Sequence, residues 1–178
     1  MIRIIAGTYR SRKLLTPKDE NKTRPTKDMV RGAIFSALGD ISGSTTLDLF
    51  AGSGALSFEA LSRGTTNAYI NDLDKEAYEV IRENAKNLGV TPIILNKDYK
   101  AVLSTLDTKF DIVFLDPPYA LDVYNEVINE LLDKELLNKY ATLVLESNHT
   151  LDIKRKAEFS KIKEYKYGYT FVTILWRN

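Results

Sequence analysis

Short, mostly apolar segments alternate with amphipathic helical patterns through most of this chain, and this alternation constrains the fold more than any other feature. Each apolar segment predicts a buried strand. The predicted strands are Thr45–Phe50, Ala68–Asp72, Pro92–Asn96, Phe110–Asp116 and Ala141–Ser147. Because strands without a polar face have to be covered on both sides, the alternation indicates a parallel sheet between two layers of helices.

The helices between these strands are bounded by capping signals. Thr26 is expected to cap the first helix, which Gly39 ends, and Asp74 caps a later helix that ends at Gly89. The remaining predicted helices are Ala55–Arg63, Lys100–Leu106 and Val123–Asn138.

Both ends of the chain depart from this alternation. Phe159–Tyr167 and Thr170–Arg177 predict two strands joined at Gly168 without a helix, so one strand of the sheet has to run antiparallel. The basic segments RIIAG and RKLL predict a short N-terminal β-hairpin. We therefore predict an α/β, Rossmann-like fold with a seven-stranded, mostly parallel sheet, in which residues 1–24 form a hairpin extension and residues 25–178 the main domain.

The composition excludes several kinds of site. The 178 residues include no cysteine, which excludes disulfides, zinc–thiolate and iron–sulfur ligands, and a cysteine nucleophile. The single histidine, His149, excludes a histidine-rich metal site, and we expect no metal. No apolar run approaches the length of a membrane span, and the N-terminus lacks a signal-peptide core, so we expect a cytoplasmic protein without a membrane contact.

The net charge of +1 conceals two oppositely charged regions. Residues 1–31 contain nine basic and three acidic side chains, whereas the rest of the chain contains 16 basic and 21 acidic ones. A basic arm on a mildly acidic body favours a polyanionic partner, although a solvated hairpin that binds nothing would have the same charge.

A glycine loop follows the first predicted strand. The segment Asp48-Leu-Phe-Ala-Gly-Ser-Gly54 opens a helix, and its glycines let the backbone approach a ligand closely. Asp72 ends the next strand, where an acid accepts hydrogen bonds from ribose hydroxyls in doubly wound sheets. Asp98 and Tyr99 follow the third strand and offer an acceptor and a flat surface for adenine, although Asp98 equally suits a helix N-cap.

The glycine loop alone is compatible with NAD and with other adenosine cofactors. Ser57 stands where a dinucleotide fingerprint has its third glycine. Asp48 would repel the phosphates of a dinucleotide, whereas it suits a cofactor that carries an ammonium group. Ser57 and Asp48 therefore favour an adenosine cofactor that carries an ammonium group over NAD.

The tetrapeptide Asp116-Pro-Pro-Tyr119 follows the fourth predicted strand, so it should face the glycine loop. Two prolines fix the backbone and remove N–H donors, which leaves carboxylate and carbonyl acceptors beside an aromatic ring. Such a set suits a planar group that bears an amine, for example a nucleobase. A tight turn with a capping Asp is the alternative.

In combination, these motifs resemble the S-adenosylmethionine (SAM) dependent amino-methyltransferases, which carry a (D/N/S)-P-P-(Y/F/W) tetrapeptide after the fourth strand. More closely, the chain is similar to the RsmD-like family of small-subunit (16S) ribosomal RNA guanine-N2 methyltransferases. The matching segments are Arg3–Gly7, Arg12–Leu14, Arg24–Thr26, Val30-Arg31, Asp48–Gly54, Asp72–Asp74, Asp116–Tyr119, Glu146-Ser147 and Lys166–Gly168. The basic hairpin and the Arg24-Pro-Thr26 segment make the narrower resemblance specific.

The resemblance implies SAM as the cofactor and assigns residues to it. The implied cofactor-binding residues are Thr26, Asp48, Phe50, Gly52, Ser53, Gly54, Asp72, Leu73, Asp98 and Tyr99. The glycine loop and Asp48 would face the methionine part, with Thr26 near its carboxylate. Asp72 would bind the ribose, and the adenine would contact Leu73, Asp98 and Tyr99.

The resemblance also implies a catalytic and an RNA-binding set. The catalytic residues would be Asp116, Pro117, Pro118 and Tyr119, with Asp116 and the Pro117 carbonyl accepting from the guanine amine and Tyr119 stacking on the base. RNA phosphates would contact Arg10, Arg12, Lys13, Arg24 and Arg31. A second basic surface would comprise Lys154, Arg155, Lys156, Lys161 and Lys163, unless these are simply solvated.

The chain departs from the family at two positions. Relatives often have Glu at the position of Asp72, and Gly-Asp-Thr where this chain has Gly168-Tyr-Thr170.

The partner implied is ribosomal RNA or an assembling small subunit, bound by a monomer. The alternatives are a DNA adenine-N6 or cytosine-N4 methyltransferase, a catalytically inactive RNA-binding assembly factor on the same fold, and an NAD oxidoreductase.

Overall fold

The computed structural model describes residues 2–18 and 25–178, without the side chains of residues 25–27. The helices are α1 (Pro25–Leu38), α2 (Ala55–Ser62), α3 (Lys75–Leu88), α4 (Tyr99–Thr105), α5 (Tyr124–Asp133) and a 3-10 turn, Lys156–Glu158. The strands are β1 (Ile2–Arg3), β2 (Lys13–Leu14), β3 (Thr45–Asp48), β4 (Asn67–Asn71), β5 (Ile93–Leu95), β6 (Phe110–Leu115), β7 (Leu137–Ser147), β8 (Phe159–Tyr167) and β9 (Thr170–Arg177).

The main sheet has seven strands in the order β5-β4-β3-β6-β7-β9-β8. The first five are parallel to one another, and β9 runs antiparallel between β7 and β8. β1 and β2 form a separate antiparallel hairpin. The predicted α/β fold, with one antiparallel strand and an N-terminal hairpin, is therefore confirmed.

The central strand β6 supplies side chains to both faces of the sheet, as the alternation along a strand requires. Val113 belongs to the apolar cluster that contains Val127 of α5. Phe114 packs on the opposite face, where its ring lies 5.9 Å from that of Phe35 in α1. Helices therefore cover both faces, which explains why β6 is almost entirely apolar.

The helices are short, and the predicted caps Gly39, Asp74 and Gly89 are present. The Asp74 side chain accepts a hydrogen bond from the Ala77 N–H at the start of α3 (2.9 Å). Gly39 and Gly89 follow α1 and α3 with positive φ angles. The longest helices, α1 and α3, have 14 residues each, and none in the described part of the chain could cross a membrane.

The N-terminal hairpin packs into the body of the protein. Ile2, Ile4 and Leu14 are buried in the same apolar cluster as Phe58 of α2. Glu59 of α2 is fully buried, and its carboxylate accepts hydrogen bonds from two backbone N–H groups of the segment that follows β1.

A close backbone approach fixes the hairpin turn against α2. A Cβ atom on Gly7 would lie 1.8 Å from the Ser62 carbonyl oxygen, so only glycine fits there. The Ser62 hydroxyl accepts from the Tyr9 N–H (2.9 Å) and donates to the Ala6 carbonyl (2.5 Å). The turn is therefore held to one end of α2.

Two predicted boundaries were wrong. The helix predicted over Val123–Asn138 ends at Asp133, and β7 begins at Leu137, which pairs with Phe110 at the start of β6. Chain reversal at Glu135, whose φ is 52°, separates the two elements. The first helix begins at Pro25, so Thr26 lies within it.

Candidate active site

A cavity of about 1160 Å³ opens at the carboxyl edge of the parallel strands, where sites form in open α/β sheets. Its wall combines segments that follow β3, β4, β5 and β6 with the end of β7 and the turn between β8 and β9. The structure therefore brings the glycine loop and the Asp-Pro-Pro-Tyr segment to one cavity. The predicted residues that line it are Phe50, Gly52, Asp72, Leu73, Asp98, Tyr99, Asp116, Pro117, Pro118 and Tyr119.

The Asp72 carboxylate is held by two backbone amides. Its Oδ2 accepts from the Gly52 N–H (2.7 Å), and its Oδ1 accepts from the Asp74 N–H (2.9 Å). The Asn96 side chain donates to the carbonyls of Asp72 and Leu73. A carboxylate has about four acceptor positions, so this fixed group can still accept from a ligand's hydroxyls.

Asn71, which the sequence analysis missed, connects three strand ends. Its side chain is 1% exposed and donates to the carbonyls of Leu49 (3.0 Å) and Lys97 (2.9 Å). Its Oδ1 also accepts from the Lys97 N–H (3.1 Å). The signal in the sequence was a polar residue at a buried strand position directly before the strand-ending acid.

Two aromatic rings form an apolar part of the wall. Phe50 and Tyr99 pack at 5.4 Å between ring centroids. The Tyr99 hydroxyl donates to Glu126 of α5 (3.1 Å), and burial together with this carboxylate raises the pKa of Tyr99. Asp98 lines the cavity and also accepts from the Lys100 N–H (2.9 Å), so it serves as the N-cap of α4.

Three of the predicted cofactor residues do not line the cavity. Asp48 is 2% exposed and accepts a hydrogen bond from the Ser57 hydroxyl (2.9 Å). Ser53 is buried, and Gly54 has a φ of +78° that starts α2. These residues therefore support the glycine loop without lining the cavity. The side chain of Thr26 lies outside the described residues.

Asp116 and Tyr119 lie on the other side of the cavity, with Glu146 at the end of β7. The wall thus has four carboxylates, although the described ranges contain no cluster of potential metal ligands. Tyr124 is buried nearby, and its hydroxyl donates to the Glu146 carbonyl (2.7 Å). Burial, followed by the charge of Asp116, raises the pKa of Tyr124.

The turn between β8 and β9 completes this side of the cavity. Tyr167, Gly168, Tyr169 and Thr170 all line it. Tyr167 packs against the apolar cluster that contains Ile34 and Phe35 of α1. Tyr169 is instead 87% exposed.

The predicted RNA-binding residues divide into two groups. Arg10, Arg12 and Lys13 are exposed on the hairpin, whereas Arg24 lies outside the described residues. Arg31 is 5% exposed and donates to the Arg3 carbonyl (2.6 Å) and to Asp28 (3.0 Å). Its guanidinium secures the hairpin to α1, and it is therefore not available to a phosphate at the surface.

Asn84 of α3 links the basic hairpin to the glycine loop. Its amide donates to the carbonyls of Leu15 (3.0 Å) and Ser53 (3.1 Å), and its Oδ1 accepts from the Leu15 N–H (2.8 Å). The side chain is 1% exposed. One buried residue thus holds both the segment after β2 and the segment before α2.

The C-terminal basic residues form ion pairs with acidic neighbours. Lys154 and Lys156 pair with Asp152, while Arg155 pairs with Asp133 and Glu158. The remaining two of this set, Lys161 and Lys163, are exposed on β8.

Known proteins similar to this chain agree in family and fold. The family model of conserved hypothetical protein 95 matches residues 2–176. Ribosomal RNA small subunit methyltransferase D of Escherichia coli K12 is 38% identical over 148 residues, which are 82% of this chain and 74% of that protein. The Haemophilus influenzae protein of the same name is 32% identical over 94% of this chain and 89% of its own.

A solved structure gives the same result for the fold. The structure of yhhF from Escherichia coli superposes with a TM-score of 0.87 at 32% sequence identity. The match covers 99% of this chain and 98% of that one, so it includes the N-terminal hairpin as well as the sheet.

Proposed function

Because the chain belongs to the conserved hypothetical protein 95 family, which includes ribosomal RNA small subunit methyltransferase D, we propose that it is a SAM-dependent methyltransferase of small-subunit ribosomal RNA. The family assignment made from the sequence motifs is thereby confirmed. We further propose that the methyl acceptor is the exocyclic N2 amine of a guanine. The observation that carries the proposal is the Asp116-Pro-Pro-Tyr119 segment, whose prolines offer carbonyl acceptors without N–H donors, in the same cavity as Gly52 and Asp72.

The residues present on one side of the cavity fit SAM. The Asp72 carboxylate, fixed by two backbone amides, suits a ribose diol. Leu73 is 67% exposed at the wall and, with Phe50 and Tyr99, offers apolar surface to an adenine. Bound SAM supplies a methyl group activated on a sulfonium, and the protein's task is to hold and orient the acceptor.

The opposite side of the cavity fits an amine nucleophile. The lone pair of a guanine N2 is delocalised into the ring and is therefore a poor nucleophile. Acceptance of its hydrogens by the Asp116 carboxylate and the Pro117 carbonyl favours a tetrahedral nitrogen. Tyr119 stacks on the base and fixes its orientation, so that alignment and electrostatics supply most of the acceleration.

The substrate side also has to accommodate RNA. A base reaches the cavity only after it leaves its stack, which favours loops or distorted RNA over an intact duplex. Arg10, Arg12 and Lys13 are exposed on the hairpin and would neutralise phosphates, together with Arg24. A ribosomal RNA substrate implies action in the cytoplasm.

The proposal is tested with radiolabelled SAM and three substrates: small ribosomal subunits, protein-free ribosomal RNA, and DNA. The subunits and the RNA come from a strain that lacks this protein, and labelled nucleosides are identified by mass spectrometry. We expect N2-methylguanosine from the subunits or the RNA. Label in DNA alone would contradict the proposal in favour of a DNA methyltransferase, and SAM binding without any transfer would favour an inactive assembly factor.

A further inference from the structure

We propose that Tyr169 is a substrate-positioning residue that stacks on an unpaired base next to the target guanine. The inference rests on the proposed function, because it requires a single-stranded RNA segment at the cavity mouth.

Packing within the protein does not account for this side chain. Tyr169 is 87% exposed, so its ring removes little apolar surface from water in the folded chain. It is also not isolated, because Tyr119 (53% exposed) and Leu121 (43% exposed) line the same cavity. Exposed apolar side chains that line one cavity are typical of a binding surface.

The position in the sheet assigns Tyr169 to the substrate side. Asp72 and Asp98 follow β4 and β5 at one end of the strand order, whereas β9 lies beyond β6 and β7. Phe171 at the start of β9 pairs with Ser147 at the end of β7. The turn therefore lies past the end of β7, on the far side of Asp116 from the proposed adenosine site.

A tight backbone turn fixes the position of Tyr169 on the hairpin. Tyr167 pairs with Thr170, so the turn consists of only two residues, and Gly168 adopts the positive φ (62°) that such a tight turn requires. The backbone of this short turn loses little freedom when a base stacks on the Tyr169 ring. Lys166 lies on the same hairpin, with its Nζ 5.1 Å from the Phe171 ring, and adds a positive charge for a phosphate.

Three variants test the proposal: Tyr169→Ala, Tyr169→Phe and Tyr140→Ala. Tyr140 is the matched control because it is 69% exposed and does not line the cavity. The measurements are the SAM dissociation constant, the KM for RNA and kcat, and the fluorescence of an RNA with 2-aminopurine beside the target guanine.

We expect Tyr169→Ala to raise the KM for RNA about tenfold, which is the usual loss for one stacked base. The SAM dissociation constant should stay within about twofold, and the quenching of 2-aminopurine on binding should be lost. Tyr169→Phe keeps the ring and should behave like the wild-type protein, as should Tyr140→Ala.

Other outcomes would overturn the inference. An unchanged KM and unchanged quenching in Tyr169→Ala would remove the ring from RNA binding, and an equal loss in Tyr169→Phe would replace stacking with a hydroxyl contact. A loss of SAM affinity or of thermal stability in Tyr169→Ala would indicate a structural role. If the wild-type protein transfers no methyl group to RNA, the proposed function fails first and this inference falls with it.

Discussion

The half of the cavity beside β3, β4 and β5 is held by hydrogen bonds between strand ends, whereas the half beside β6 and β7 presents exposed aromatic rings. On the first side, Asn71 and Asn96 fix the backbone around Asp72 with five hydrogen bonds. On the second side, two prolines stiffen the chain, and Tyr119 and Tyr169 extend towards solvent.

This difference suits a cavity that has to bind two unlike ligands, a small cofactor and an RNA. A small cofactor of constant shape is bound best by a preformed site, because little ordering remains to oppose binding. A large RNA has to be admitted and released, and exposed rings give contact area that forms only when a base arrives. The contrast predicts which substitutions change cofactor binding and which change turnover.

The largest expected effect is at Asp116. Tyr119 and the prolines remain in Asp116→Ala, but the proposed acceptor for the amine hydrogens is gone, so turnover should fall at least about a hundredfold. The SAM dissociation constant, measured by calorimetry, should stay within about twofold. Asp116→Asn keeps an acceptor oxygen without the charge, so its turnover should lie between that of the wild-type protein and that of Asp116→Ala. Wild-type turnover in Asp116→Ala would show that Asp116 is not the acceptor for the amine hydrogens.

The second-largest effect is expected at Asp72, where SAM affinity rather than kcat should change. Removal of a charged acceptor for the ribose in Asp72→Ala should weaken SAM binding about ten- to a hundredfold. At saturating SAM, kcat should return to within a few fold of the wild-type value. Asp152→Ala removes an exposed acid that pairs with Lys154 and serves as the control. A fall in kcat without a change in SAM affinity would count against a cofactor role.

The third effect is on stability. Asn84→Ala leaves the Leu15 and Ser53 backbone groups without their side-chain partner, which should lower the free energy of unfolding by about 2 kcal/mol. The melting temperature should then drop by roughly 4–8 °C. Asn87→Ala, on the exposed side of the same helix, is the matched control. Equal melting temperatures for the two variants would refute the link between hairpin and glycine loop.

The smallest effect should come from charge on the hairpin. Replacement of Arg10, Arg12 and Lys13 by Gln should weaken RNA binding about three- to tenfold at moderate salt and lower the slope of log K against log salt by about two. The same replacement of Lys154, Arg155 and Lys156, which are paired with acids, should leave the slope unchanged. A larger slope change in the second variant would place the RNA on the C-terminal surface.

Most of the fold could be predicted because its central strands are apolar on both faces and several helices begin or end at capping residues. One prediction that failed was the helix over Val123–Asn138. Leu132, Leu136 and Leu137 continue a helical spacing, but pairing of Leu137 with Phe110 places it in a strand. This pairing joins residues 27 positions apart, and hydrophobic periodicity within one segment cannot reveal such a long-range contact.

The candidate site was predicted in part, for a similar reason. Phe50, Gly52 and Asp72 belong to motifs that are contiguous in sequence, and they do line the cavity. Asn84 has no motif of its own, because its partner Leu15 lies 69 residues away. Arg31 was expected to contact RNA phosphates, yet it is buried beside the Glu59 carboxylate and bonds to the hairpin backbone.

The docking of the N-terminal hairpin on α2 and α3 also sets an order of events during synthesis. Ile5 bonds to Glu59, 54 residues later, and Leu15 bonds to Asn84. Chains grow by about 5–20 residues per second, so Leu15 is added to the chain roughly 3–14 seconds before Asn84. Until α2, β4 and α3 have been made, the apolar Ile2, Ile4 and Leu14 lack the cluster partners in those elements that later bury them. The hairpin is therefore synthesised first but can dock only after α2 and α3 have been made.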